Sequence, residues 1–239
     1  MRRRDLLAAV PATALAVQAQ AHAQAHAHAH AARLVVVELF TSQSCDSCPP
    51  ADALLRELRD RPNVLVLSWH VTYWNNLGWR DRFSLPEATE RQRRYAGTLR
   101  AGRYGNGQVY TPQAVVQGER DAVGSDRAAV LAAIRDAARG EGITPSLRAE
   151  AEGLVAELPA ATGRATLWLV GFDREHVTPV ASGENRGRTL AHANVVRGVR
   201  RVGQWEGAAQ RLVSARPPGE RVALLVQGDD GRILGAARV

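Results

Sequence analysis

Leu34-Val35-Val36-Val37-Glu38-Leu39-Phe40-Thr41-Ser42-Gln43-Ser44-Cys45-Asp46-Ser47-Cys48-Pro49-Pro50-Ala51-Asp52-Ala53-Leu54-Leu55-Arg56-Glu57-Leu58 sets the architecture of the chain. Its first seven residues are a β-branched apolar run, suited to a strand covered on both faces as in parallel sheets. Thr41 to Pro50 is a polar turn, and Ala51 to Leu58 carries helical periodicity. A second apolar run, Asn63 to Trp69, follows the helix. Strand, helix and strand in that order predict a right-handed βαβ unit.

Outward from this unit the pattern continues as α/β. Leu85 to Leu99 reads as a charged helix with Pro86 in its first turn, where a missing N–H costs little. Gln113 to Gln117 reads as a strand ending at Gly118, and Ser125 to Ala138 as a helix with Ser125 as N-cap and Gly140 as stop. After Gly142 the rhythm changes to short runs between turn residues: Leu147–Leu158, Ala165–Phe172, Val177–Ala181, Thr189–Val202, Arg221–Gln227 and Arg232–Arg238. Gly228-Asp229-Asp230-Gly231 joins the last two as a hairpin. The expected organisation is an α/β domain over residues 33–142, a central mixed sheet with flanking helices, followed by an antiparallel β-rich region over 143–239.

Ahead of residue 33 the sequence reads as an address. Arg2-Arg3-Arg4-Asp5-Leu6-Leu7, an Ala-rich apolar stretch and small-residue sites at Ala19-Gln20-Ala21 and Ala21-His22-Ala23 make residues 1–23 an export signal. Its Arg3-Arg4-x-Leu6-Leu7 order is similar to the twin-arginine type. Residues 24–32 are a His/Ala-rich spacer. A periplasmic or secreted location follows, where disulfides persist. No apolar run reaches the eighteen residues of a spanning helix. The 239 residues are 45% hydrophobic, enough for a substantial core. The net charge of +7 comes from 31 basic residues, all Arg, beside abundant Ala. That usage reads as compositional bias over the whole chain and argues against a nucleic-acid partner.

Cys45 and Cys48 are the only cysteines, so all sulfur chemistry rests on one pair. Three readings stand beside one another. A redox couple fits their position at a helix start, where free N–H groups and the helix dipole favour a thiolate. A structural staple contributes only about 2 kcal/mol for so short a loop, against about 3 for fifteen residues. A copper or zinc site would use both thiolates and the imidazole of His70. Glu38 is a lone acid in an apolar strand. Buried, its carboxyl would titrate high, and it would exchange a proton with Cys48. Trp69 to Trp79 holds three of the five tryptophans beyond the second strand. Open α/β sheets bind ligands at that edge, so Tyr73, Trp74 and Trp79 are candidates for a rim that holds a peptide or small thiol.

Val109-Tyr110-Thr111-Pro112, just before the third strand, resembles the loop of thioredoxin-like folds in which a cis-proline faces the C-x-x-C pair. More specifically, Glu38-Leu39-Phe40-Thr41-Ser42-Gln43, Cys45-x-x-Cys48-Pro49-Pro50-Ala51-Asp52, His70 to Trp79, Arg91-Gln92, Tyr95-Ala96, Val109 to Gln113, Gly183-Glu184-Asn185-x-Gly187 and Asn194-Val195-Val196-Arg197 resemble an exported bacterial family, domain of unknown function 1223. The resemblance implies a thioredoxin-like domain with a β-rich addition, and no defined reaction. The chain departs from the family at Thr72 and Asn75, where acids are common. The expected activity is thiol–disulfide exchange without a cofactor, with protein or small-molecule thiols and disulfides as partners. Cys45 attacks, Cys48 resolves, Thr111 and Pro112 position the substrate and Glu38 relays a proton. That mechanism needs both sulfurs at the exposed mouth of the first helix. The segment 183–197 is expected beside that edge as a loop or hairpin.

Overall fold

The computed structural model describes residues 33–99 and 108–239. The export signal and the His/Ala spacer expected over residues 1–32 lie outside these. Strand β1 (Val35–Thr41) pairs in parallel with β2 (Val64–His70), in a continuous register from Val35↔Val64 to Thr41↔His70. Helix α1 (Pro49–Leu58) joins them, its two leading prolines seated where no intrahelical N–H is needed. Strand β3 (Gln113–Val116) adds antiparallel to the other edge of β1, and β4 (Arg120–Val123) folds back on β3. Helix α2 (Pro86–Thr98) precedes this hairpin and α3 (Arg127–Arg139) follows it. Asp126, rather than Ser125, caps α3, its carboxylate accepting from the Ala129 N–H.

The β-rich half follows with β5 (Ser146–Glu150), β6 (Gly153–Leu158), β7 (Ala165–Pro179), β8 (Thr189–Trp205), β9 (Gln210–Ser214), β10 (Arg221–Gly228) and β11 (Ile233–Arg238). Among the described residues, eight strands form one mixed sheet in the order β11-β10-β7-β8-β2-β1-β3-β4, and β5-β6-β9 form a second. The change near residue 142 is therefore one of architecture, with strands from both sides sharing the larger sheet. The run 165–172 and the first three residues of 177–181 belong to a single long strand, which ends at Pro179. Between them Asp173-Arg174-Glu175-His176 reads as a break because it is polar, yet it continues the ladder against β8 while its side chains form ion pairs and remain partly exposed.

Alternation along β1 divides the core. Val35, Val37 and Leu39 pack with Leu54, Leu55 and Leu58 of α1 and Val130 and Ile134 of α3. Val36 and Phe40 pack on the other face with Leu65, Leu67, Trp69 and Tyr95. Each such large side chain contributes about 1.5–3 kcal/mol by leaving water. Strand period two places Glu38 with Val36 and Phe40, on the face away from α1. There the guanidinium of Arg91 donates to both of its carboxylate oxygens, and the Tyr95 hydroxyl donates to one of them. Arg91 also donates to Gln227 Oε1 at 3.1 Å, tying β1, α2 and β10 together. Burial works against the charge on Arg91, but Glu38 and Tyr95 outweigh it and hold the guanidinium protonated. The expected proton exchange between Glu38 and Cys48 is thus overturned. The carboxylate is committed to Arg91 across the sheet from the cysteine helix.

Removing one partner of a buried pair strands the other charge, at a cost of about 3–5 kcal/mol. Glu38→Ala is expected to lower the unfolding free energy by about that amount in urea titrations, a far larger loss than at an exposed pair. A change within about 0.5 kcal/mol, the usual range for surface substitutions, would contradict the assignment.

Candidate functional site

The turn leaving β1 is wound tightly by its own backbone. Cys45 N–H donates to Ser42 C=O at 3.2 Å and Cys48 N–H to Cys45 C=O at 3.3 Å. Cys48 already has helical dihedrals and is the N-cap of α1; its carbonyl accepts from Ala51 and Asp52. Cys45 and Cys48 are joined as a disulfide across a Cα separation of 5.4 Å. Both cysteines are 0% exposed, although Asp46 and Ser47 between them face solvent. The expectation of two sulfurs at an open helix mouth is therefore corrected: the bridge is covered.

The residues linking β7 to β8 seat against this turn, as expected for the segment beginning at Gly183. Buried Asn185 donates through Nδ2 to the carbonyls of Gln43 at 3.0 Å and Cys45 at 2.9 Å. Glu184 Oε2 accepts from the Asp46 N–H at 3.3 Å, and the Ser182 hydroxyl donates to Gly78 C=O at 2.6 Å. Gly183 has φ +76°, and a Cβ there would meet Trp79 Cβ at 3.0 Å, so glycine is needed for this close approach.

Thr111-Pro112 is cis. Pro112 lies beside the first turn of α1, because a Cβ added to Gly124 would touch Leu39, Ala51 and Pro112 together. Thr111 Oγ1 accepts from Trp74 Nε1 at 2.8 Å. Tyr73 donates its hydroxyl to Gln92 Oε1 at 3.1 Å, and burial pushes its phenol up to about 12. Trp79 Nε1 donates to Gln43 Oε1 at 3.0 Å. The three aromatic candidates are thus half-buried and tied by their polar atoms into a frame around the turn, rather than forming a free rim.

His70 is buried on the α1 face of β2. Its Nδ1 meets Asp81 Oδ2 at 2.6 Å, while its Nε2 has no hydrogen-bond partner among the described residues. Its ring packs edge-on against His192 at a 4.7 Å centroid distance. Nδ1 of His192 lies 3.5 Å from Oδ1 of Asp52, near enough to pair electrostatically but without hydrogen-bond geometry. Burial opposes the charge on His192, yet the Asp52 and Asp81 carboxylates outweigh it and raise its titration. The expected Cys45, Cys48 and His70 ligand set does not assemble. The sulfurs are bonded to each other, and among the described residues no group of three or more His, Cys, Asp or Glu side chains is placed to hold a metal ion.

Asp52, Asp81, Asn185 and His192 escape sequence reasoning. Asp52 left a trace: with Cys48 and Leu55 it falls at i, i+4 and i+7, on the apolar stripe of α1, where an exposed acid does not belong. His192 lies between Leu190 and Asn194 in inward alternation, but no local signal pairs it with a helix 140 residues earlier.

The model of the family described as Protein of unknown function (DUF1223) matches residues 36–227. The chain belongs to this family. A crystal structure of protein AGR_C_4864 from Agrobacterium tumefaciens is 32% identical, covers 86% of this chain and 93% of its own, and superposes with a TM-score of 0.72. HBP35 of Porphyromonas gingivalis shares the fold at 14% identity, covering 87% of this chain and 74% of its own with a TM-score of 0.55. No curated protein matches.

Asp81 generates a pH prediction. Burial would raise its carboxyl, but His70 and the N–H groups of Gln43 and Phe83 outweigh this and hold it at about 2, below the ordinary 3.8. A depressed carboxyl stabilises the fold fully above its unfolded value and loses that contribution as pH falls through the folded value. Stability measured by urea titration is expected to drop between pH 3.8 and about 2 in the native protein. Asp81→Asn is expected to be less stable at neutral pH and flatter across that window; parallel curves would contradict the role of Asp81.

Proposed function

We propose that this member of the DUF1223 family is an exported, thioredoxin-like thiol–disulfide oxidoreductase acting through Cys45 and Cys48. One observation carries the reading. The pair closes a disulfide at the N-terminal turn of α1, directly beyond a buried parallel strand, and Pro112 lies by Ala51 in the first turn of the same helix. A helix N-terminus favours a thiolate there. In the reduced protein the Cys45 thiolate attacks a substrate disulfide and expels one half as a thiolate. Cys48 then attacks Cys45 Sγ, which closes the bridge and releases the other half, so two electrons pass from the dithiol to the substrate. Thr111 and Pro112 flank the substrate, and their loop is braced by Trp74. The twin-arginine-like residues 2–7 favour the periplasm, an oxidising compartment.

The cover adds a condition. Access to Cys45 requires the tip around Asn185 to withdraw, so exchange is gated by a few hydrogen bonds worth about 1 kcal/mol each. A second reading has its own observation: 0% exposure of both cysteines favours a sealed bridge in a non-catalytic binding module.

Equilibration with redox buffers separates the two. A reversible couple in the range of roughly −120 to −270 mV supports exchange, and a bridge resistant to reduction until the protein unfolds supports the sealed module. Cys48→Ala is expected to accumulate mixed disulfides through Cys45 in periplasmic extracts, and no trapped species would count against exchange. Asn185→Ala is expected to speed reduction of the folded protein by dithiothreitol about thirtyfold, matching the loss of two hydrogen bonds of about 1 kcal/mol each. An unchanged rate would mean the tip is not the gate.

A further inference from the structure

We infer that Asp52 and His192 are a buried proton-accepting pair that takes the thiol proton of Cys48 when the Cys45–Cys48 bridge closes; this rests on the exchange reading above. Cys48 has helical dihedrals and its carbonyl accepts from Asp52 N–H at 3.1 Å, so the two side chains share a helix face one turn apart. Such neighbours lie about 5–6 Å apart at Cβ. Cys48 is 0% and Asp52 4% exposed.

Among the described residues, neither carboxylate oxygen of Asp52 and neither ring nitrogen of His192 has a hydrogen-bond partner. Folded proteins satisfy nearly all buried polar atoms, and a cluster of four left open is costly unless it has work to perform. Two of them face each other, with Nδ1 of His192 3.5 Å from Oδ1 of Asp52. Glu38, the other buried acid nearby in sequence, is on the opposite face and committed to Arg91.

A groove of about 170 Å³ between α1 and β8, lined by Asp52, Ala53, Arg56 and Leu190, reaches Asp52, whose carboxylate oxygens are themselves buried. The surrounding charges are few. Arg56 opposes protonation of His192 from α1, and Asp81 favours it from the loop after β2, where it is held by His70. His176, opposite His192 on β7, is engaged with Asp173.

The step balances. With R–S bonded to Cys45 as a mixed disulfide, the Cys48 S–H proton moves to the Asp52–His192 pair. The Cys48 thiolate attacks Cys45 Sγ, the Cys45–S–R bond breaks, and R–S⁻ leaves with the electron pair. The proton then passes along the groove to water.

Ellman's reagent, an aromatic disulfide, resolves the two halves by stopped flow on the reduced full chain. The first release of thionitrobenzoate depends on reagent concentration and reports Cys45; the second is unimolecular and reports Cys48. Asp52→Asn and His192→Gln are expected to leave the first phase within about twofold and slow the second by about tenfold or more at neutral pH, the scale of a lost general base. Asp52→Glu is expected to restore much of the rate. Should the variants not fold, the native second phase decides: it is expected to flatten well below the thiol's own pKa of about 8.5, whereas an unassisted thiol gains about tenfold per unit all the way up to that value. A second phase at native speed in folded Asp52→Asn and His192→Gln, or a native second phase climbing tenfold per unit, overturns the pair's role and leaves exchange standing. A native protein with no first phase overturns both.

Discussion

Because β1 is paired along both edges and covered on both faces, each of its residues belongs to one side of the sheet or the other, with no intermediate position. Shifting the strand by one residue would send Glu38 toward α1 and Leu39 toward α2, exchanging a satisfied charge for an orphaned one. Pairing with Arg91 therefore pins the register while it stabilises the core. A buried ion pair is a weaker source of net stability than apolar packing of equal volume, so specificity is the better account of its presence. Once the register is set, the end of β1 delivers Cys45 to the start of α1 with little freedom left.

Around that turn the protein departs from an open site. Main-chain groups of residues 43 to 46 are held from one side by Asn185 and Glu184, and Trp79 and Gln43 brace the loop beside them. Behind it lies a pocket of polar side chains unlike the apolar layers on either hand: Asp81 with His70, then His192, then Asp52. This grouping depends on the long β7–β8 arm, which brings His192 from the β-rich half into contact with the first βαβ unit. The two halves are thus joined in one compact body by these side-chain contacts as well as by the sheet.

What could be read from the chain follows how local each signal is. The βαβ unit, both later helices and the closing hairpin over residues 228–231 were legible because periodicity and turn residues are short-range. The position and isomer of Pro112 were legible through resemblance. Glu38 was legible as a buried acid, but its partner stands 53 residues away on a charged helix whose inward side chain is itself an arginine. Nothing in the spacing of Arg91-Gln92 distinguishes a core cation from a surface one. The cover over the cysteines was legible only as a segment near the edge, since its grip is on backbone atoms that any sequence would offer.

That last property reaches further. Asn185 holds the carbonyls of Gln43 and Cys45, Glu184 holds the amide of Asp46, and Ser182 holds the carbonyl of Gly78. None of these bonds reads a side chain. The latch is consequently blind to which residues occupy positions 46 and 47, both of which face water. The electrostatic character of the dipeptide between the sulfurs is mechanically decoupled from the fastening above it, so one can be retuned while the other stays closed.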